Sequence, residues 1–152
     1  MSPRRVRIEK VVTLREKELD KKVQQLAGSR AAEIRALSEE ERQAQELLQA
    51  SESRLKLAEE GEVLSAMSWV EANEWLHNRR LHHEKARSEA ARAKLETKKA
   101  QGAVLNARTD LKKVELLSSR IQKQEDSQAE RVERRLEDEL SSLRFRRTEE
   151  SK

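Results

Sequence analysis

Small and apolar residues recur at alternating steps of three and four through the second half of this sequence. The recurrence covers fourteen positions, ten of them apolar: Leu76, Arg79, His83, Ala86, Ala90, Ala93, Thr97, Ala100, Val104, Ala107, Leu111, Val114, Ser118 and Ile121. A stripe with this mean period of about 3.5 residues is typical of a helix that packs along another helix in a coiled coil. The segment therefore requires a long helical partner.

A comparable stripe in the first segment supplies that partner. Its members are separated only by three, four, seven or eight residues: Ile8, Val12, Leu19, Val23, Leu26, Ile34, Leu37, Ala44, Leu48, Leu55 and Ala58. Ser2 before Pro3 predicts an N-cap at the start of this helix. Ser68, with Glu71 three residues later, predicts an N-cap for the second helix.

We therefore predict an all-α fold, two long helices that form an antiparallel coiled-coil hairpin over residues 1–152. The first helix is expected at about 3–60, the reversal at about 61–68 and the second helix at about 69–147. If the chain folds back at this reversal, residue i would lie opposite approximately residue 128 minus i. The N-terminal end of the first helix, at residue 3, would therefore lie opposite about residue 125.

The apolar rhythm changes beyond Ile121. The next apolar residues follow an eleven-residue rhythm instead of heptads: Ala129, Val132, Leu136, Leu140 and Leu143. This change predicts a C-terminal helical overhang with a stripe meant for another molecule. The alternative is that the last ~25 residues form a frayed tail, as chain ends often do.

The composition favours long helices over disorder and over a globular core. Charged residues make up 41% of the chain, but their signs are mixed, and there are only one Pro and three Gly. The absence of Cys excludes disulfides and thiolate metal sites. The longest mostly apolar stretch, residues 63–70, is too short to span a membrane, so we expect a soluble cytoplasmic protein without direct membrane insertion.

No pattern in the sequence predicts catalysis. A phosphate-binding loop is absent, and His77, His82 and His83 do not have the spacing of a metalloprotease helix. Acidic residues are abundant, but a two-helix fold offers no pocket in which to desolvate them. We therefore expect no catalytic, cofactor-binding or metal-binding residues, and no enzymatic activity.

Two groups of residues suggest binding instead. The arginines near both termini and a pI near 9.5 allow a basic nucleic-acid-binding helix, but the net charge is only +4 and Phe145 is the sole aromatic residue near them. We therefore expect no nucleic-acid partner. Trp69 and Trp75 lie close to the predicted reversal, where they could either cap the end of the coiled coil or present a contact surface.

The sequence resembles the FliJ/YscO family of bacterial type III export proteins. The resemblance rests on residues 11–20 (VVTLREKELD), on Trp69 and Trp75-Leu76, and on three later stretches: 111–117 (LKKVELL), 133–140 (ERRLEDEL) and 144–147 (RFRR). It implies a stalk, similar to the γ subunit of rotary ATPases, that enters the export ATPase hexamer and raises its activity. It also implies links to the membrane export gate and to export chaperones, at the cytoplasmic side of the inner membrane. A flagellar and an injectisome system both remain open.

If the chain has the role that this resemblance implies, the distribution of charge predicts which end of the hairpin contacts the ATPase and which contacts the export gate. Residues 1–30 hold nine cations and four anions, and the facing residues 98–128 hold seven and four, so the end with the termini is basic. We expect it to contact the ATPase through Arg4, Arg5, Arg7, Leu136, Leu140, Leu143, Arg144, Phe145, Arg146 and Arg147. Trp69 and Trp75 would contact the export gate. A monomer is expected; the alternative function is a structural coiled-coil scaffold or adaptor.

Overall fold

Two helices account for nearly all of the described chain. The computed structural model describes residues 2–59 and 66–150, with side chains through residue 147. Helix α1 spans Pro3–Glu59 and helix α2 spans Ala66–Glu150, and the described residues contain no strand. The helices pack against each other, which confirms the predicted all-α helical hairpin.

The two predicted helix starts had different outcomes. The Ser2 hydroxyl accepts a hydrogen bond from the Arg5 backbone N–H at 3.2 Å, which confirms the N-cap at Ser2. The N-cap at Ser68 is wrong, because α2 already includes Ala66 and Met67, both good helix formers. The rest of the predicted reversal, residues 61–65, lies outside the described residues.

The chain divides into two compact units, each made from a segment of α1 and a segment of α2. The first unit comprises Met1–Leu19 and Ala107–Lys152. Within it, Ile8, Val12 and Leu19 are half-buried, Ile121 is buried, and the Ser2 hydroxyl donates a hydrogen bond to the Glu125 carboxylate.

The second unit comprises Asp20–Asn106. Within it, the Thr97 hydroxyl donates to the Ser29 carbonyl at 3.2 Å, and Arg79 forms an ion pair with Glu46. The partner numbers add up to 126 and 125, so this register lies within one helical turn of the predicted one.

Small side chains dominate the buried positions of the second unit. Ala50 and Ala90 are each 1% exposed and Ala86 is also buried, whereas no large side chain among the described residues is fully buried. Alanine lets two helix backbones approach closely but removes little apolar area from water. The interface is therefore thin, and its stability depends on close fit more than on burial of bulk.

The prediction for the inward face of α2 was correct at every position. All fourteen residues of the stripe that starts at Leu76 and ends at Ile121 are buried or half-buried. The phase of α2 could therefore be inferred from the heptad period alone.

The prediction for α1 was correct only in part. Ile8, Val12, Leu19 and Leu26 face inward, and Leu37 is half-buried. The other predicted members, Val23, Ile34, Ala44, Leu48, Leu55 and Ala58, are exposed. From residue 22 to residue 54 the inward stripe instead consists of Lys22, Leu26, Ser29, Glu33, Ala36, Glu40, Gln43, Leu47, Ala50 and Arg54, each at least half-buried.

The error has a physical cause. An uninterrupted helix keeps its phase, so the heptads that begin at Arg5 and Ile8 determine which side of α1 meets α2 farther along. The exposed members of the predicted stripe, from Val23 to Ala58, lie about one position away from that phase, and therefore on a neighbouring side of the helix.

Candidate interaction surfaces

The first candidate surface lies on the C-terminal part of α2, in the first unit. Ser2, next to the start of α1, contacts Glu125, and every described side chain from residue 126 to residue 147 is exposed. The sequence thus predicted correctly that α2 continues beyond the start of α1. We call residues 126–147 the overhang.

Apolar side chains of the overhang share one side of the helix. Val132, Leu136, Leu140 and Leu143 are 54–57% exposed. At about 100° per residue they fall within an arc of about 80°. They form a narrow apolar stripe, which we call the overhang stripe, and no described residue of α1 covers it.

Basic residues border the end of this stripe. Leu140 and Leu143 line an open depression of about 500 Å³ together with Arg144, Arg146 and Arg147. Phe145 is 66% exposed. An apolar strip followed by guanidinium groups is suited to a partner groove with an apolar floor and an acidic rim.

The predicted N-terminal arginines do not join this cluster. Arg4 and Arg7 are exposed, whereas Arg5 is half-buried and its Nε lies 3.2 Å from Glu9 Oε1. Leu143 lies about 27 Å along α2 from Glu125, at about 1.5 Å per residue. The arginines and the leucines therefore form two separate patches of the first unit.

The two tryptophans occupy different environments in the second unit. Trp69 is half-buried, with the Arg54 guanidinium 5.8 Å from its ring centroid. It lines a cleft of about 420 Å³ with Ser51, Arg54, Leu55, Ala58, Leu76 and Arg80. Trp75 is 46% exposed. They are six residues apart on the helix, which places their directions about 120° apart, so they do not form one surface.

A group of charged residues links the helices in the second unit. Arg42 lies 2.7 Å from Glu39 and 3.7 Å from Glu46, which also pairs with Arg79. Hydrogen bonds lower the pKa of the Glu39 carboxyl below its ordinary value; the bond from Arg42 has the larger effect and the bond from Gln43 the smaller one. Because these groups lie at the surface, they contribute more to register than to stability.

Two kinds of site are absent from the described part of the chain. It contains no group of three or more residues that could hold a metal ion. Neither described helix has an apolar stretch that could cross a lipid bilayer. The surfaces that stand out are those suited to contacts with other proteins.

The fold and these surfaces define a coiled-coil hairpin protein with an uncovered helical extension. The family model of the flagellar FliJ protein matches residues 4–150, so the chain belongs to the FliJ family and is a protein of the flagellar export apparatus. The match confirms the resemblance seen in the sequence. Neither the search of curated proteins nor the search of solved structures found a match.

Proposed function

We propose that this chain is the stalk of a flagellar export apparatus, which binds the export ATPase hexamer and raises its turnover. In this role it also connects the ATPase to the membrane export gate and receives export chaperones. It has no catalytic residues or cofactor of its own, and it acts as a cytoplasmic monomer held at the inner membrane by these partners.

The observation that supports the ATPase contact most strongly is the overhang. Four apolar side chains more than half exposed on one helical stripe are unfavourable in water, and a partner that covers them would remove that penalty. A single helix is also narrow enough, about 10–12 Å with side chains, to enter the centre of a protein ring.

The basic residues serve the same contact in a different way. Arg4, Arg7 and Arg146 add positive charge to the unit that contains both termini. Charges of one sign raise the rate at which an oppositely charged partner is met, while the apolar stripe determines how long the complex lasts. We therefore assign steering to the arginines and the buried contact to the overhang stripe.

Removal of the overhang tests the proposal directly. We expect a chain that ends after Gln128 to keep its hairpin, since α1 meets α2 before that residue, but to lose stimulation of the export ATPase. Helicity by circular dichroism and the ATPase rate across a range of added protein are the two measurements.

A substitution in the full-length chain separates the stripe from chain length. We expect Leu140→Ala to weaken ATPase binding by about tenfold, or about 1.4 kcal/mol, as for a moderate interface residue. Leu95→Ala is the matched control, because Leu95 is 54% exposed on α2 but lies outside the overhang. If the truncated chain stimulates as well as the intact one, the stalk proposal is wrong.

A further inference from the structure

A second apolar stripe runs along α1 within the second unit. Its positions alternate at steps of four and three, and eight of the eleven are apolar: Val23, Ala27, Arg30, Ile34, Leu37, Glu41, Ala44, Leu48, Ser51, Leu55 and Ala58. We call it the outer stripe. Its spacing is that of a helix-packing surface, as in the stripe of α2 that contacts α1.

The outer stripe is not the surface that α1 presents to α2. Ile34, Leu48 and Leu55 are 60–67% exposed. Over the same stretch, six of the ten inward positions are polar, among them Glu33 and Gln43. Single exposed leucines are ordinary, but a periodic row that is more apolar than the helix's own inward face indicates a missing partner.

A row of cations borders the outer stripe on the adjacent helix. The cleft beside Trp69 is lined by Ser51, Leu55 and Ala58 from this stripe and by Arg80 from α2, so Arg80 lies on the same side of the hairpin as the stripe. Arg87 and Lys94 follow Arg80 at seven-residue intervals and occupy equivalent positions, and Lys98 lies one turn farther on.

The row has a clear net sign. Between Arg80 and Lys98 the same side of α2 carries four exposed cations, Arg80, Arg87, Lys94 and Lys98, and one anion, Glu84. We call these four residues the basic wall. The outer stripe and the basic wall together make a groove with one apolar side and one positively charged side.

We propose that this groove binds an amphipathic α-helix of a partner protein whose apolar stripe is bordered by acidic residues. The partner's apolar residues would pack on Ile34, Leu48 and Leu55, and its carboxylates would face the basic wall. The result is a local three-helix bundle. This inference concerns the second unit and does not depend on the proposed contact between the overhang and the ATPase.

Charge complementarity favours such a partner over a second copy of the chain. A second α1 placed in the groove would bring the side chains that flank its own outer stripe against the basic wall. From residue 24 to residue 45 the residues directly after the outer stripe are Gln24, Gly28, Ala31, Arg35, Ser38, Arg42 and Gln45, of which none is acidic and two are basic. The acidic residues of the other flank, Glu33 and Glu40, lie on the inward face toward the copy's own α2. The cations would lose water without gaining anionic partners, which opposes association.

A designed peptide tests the groove whatever the natural partner is. The probe is a dye-labelled helix of about 28 residues, or four heptads, with Leu at alternating three- and four-residue steps and Glu beside them. The control peptide replaces each of those Glu residues with Lys. We expect fluorescence anisotropy with the full chain to give a Kd for the Glu peptide that is lower by about tenfold or more.

Substitutions in the chain locate the binding. We expect Leu48→Glu and Arg87→Glu each to weaken binding of the Glu peptide by about tenfold, with unchanged helicity because both side chains are exposed. Leu95→Glu is the matched control, since Leu95 resembles Leu48 in exposure but lies on another side of the hairpin, and it should leave binding unchanged.

Three results would overturn the inference: equal binding of the Glu and Lys peptides, equal binding by the Leu48→Glu variant, or a concentration-dependent dimer in sedimentation equilibrium that Leu48→Glu dissociates. The last would identify a second copy as the occupant. None of these measurements includes the ATPase, so this inference can fail while the proposed function stands, and the reverse.

Discussion

Two buried polar side chains, Thr97 and Gln43, differ in how completely their hydrogen-bonding groups are satisfied. The Thr97 hydroxyl is buried, but it lies within hydrogen-bond distance of a carbonyl of each helix, 3.2 Å from Ser29 and 3.1 Å from Ala93, so its single hydrogen always has an acceptor. Gln43 is 8% exposed; its Nε2 donates to Glu39 at 2.9 Å, but its Oε1 accepts no hydrogen bond from the described residues. Thr97 is therefore compatible with burial, whereas Gln43 carries an uncompensated desolvation cost.

Replacement of Gln43 should stabilise the protein. We expect Gln43→Leu, a change of similar volume, to raise the free energy of unfolding by about 1 kcal/mol, because it removes an unsatisfied buried oxygen. Urea denaturation followed by circular dichroism measures the effect. Gln49→Leu, at an exposed position of α1, should change stability much less. A loss of stability in Gln43→Leu would show that the amide has a role in the inward face.

The two tryptophans should respond differently to truncation. Trp69 packs under Arg54 in the cleft, so we expect Trp69→Ala to reduce stability by about 2 kcal/mol. Trp75 is 46% exposed and lines no described cleft with α1, so Trp75→Ala should change stability less, by less than about 0.5 kcal/mol. If Trp75 contacts the export gate, the same variant should weaken gate binding by about 2 kcal/mol. Thermal denaturation and a titration with the gate protein give the two values, and unchanged gate binding would remove Trp75 from that contact.

The helices show how far the fold could be predicted from the sequence. Heptad spacing was sufficient for α2, because the stripe from Leu76 to Ile121 keeps three- and four-residue steps without a break, and the change of rhythm after Ile121 correctly indicated the overhang. It was not sufficient for α1, which carries two stripes. The sequence alone favours the more apolar stripe as the inward face, and it therefore gives no reason to group the cations of the basic wall with that stripe.

Alanine at the inward positions of α2 sets the distance between the helices. Ala90 is 1% exposed and Ala91, the next residue, is exposed. We expect Ala90→Leu to reduce the free energy of unfolding by about 1–3 kcal/mol, because the larger side chain overpacks a close interface. Ala91→Leu should change it by less than about 0.5 kcal/mol. Similar denaturation midpoints for the two variants would contradict the close packing at Ala90.

Charge matters most at the scale of the whole molecule. The chain carries 33 cationic and 29 anionic side chains, a net charge of +4, on a protein with few large buried side chains. Most of these charges are solvated and can interact with partners over about one Debye length, roughly 8 Å at physiological salt. Association rates should therefore depend on salt more than stability does.

Salt titration checks this expectation. We expect the affinity for the export ATPase to fall as the NaCl concentration is raised from about 0.05 to about 0.5 M, since exposed charges are screened. The association rate should account for most of the loss, because steering acts on encounter. Surface plasmon resonance measures both rates. An affinity that is constant over this range would assign the contact to apolar residues alone.

The thin interface also constrains how such a chain can change length during evolution. In a two-helix coiled coil each inward side chain packs against only a short stretch of the opposite helix. Successive layers of contacts are therefore nearly independent of one another. The insertion or deletion of seven residues in both helices would add or remove whole layers and leave the remaining layers intact. One extra residue in either helix would rotate the inward positions beyond it by about 100° and disrupt all the layers that follow. Related chains should therefore differ in length by paired heptads within the hairpin. The overhang, which no described part of α1 faces, can vary in length by single residues.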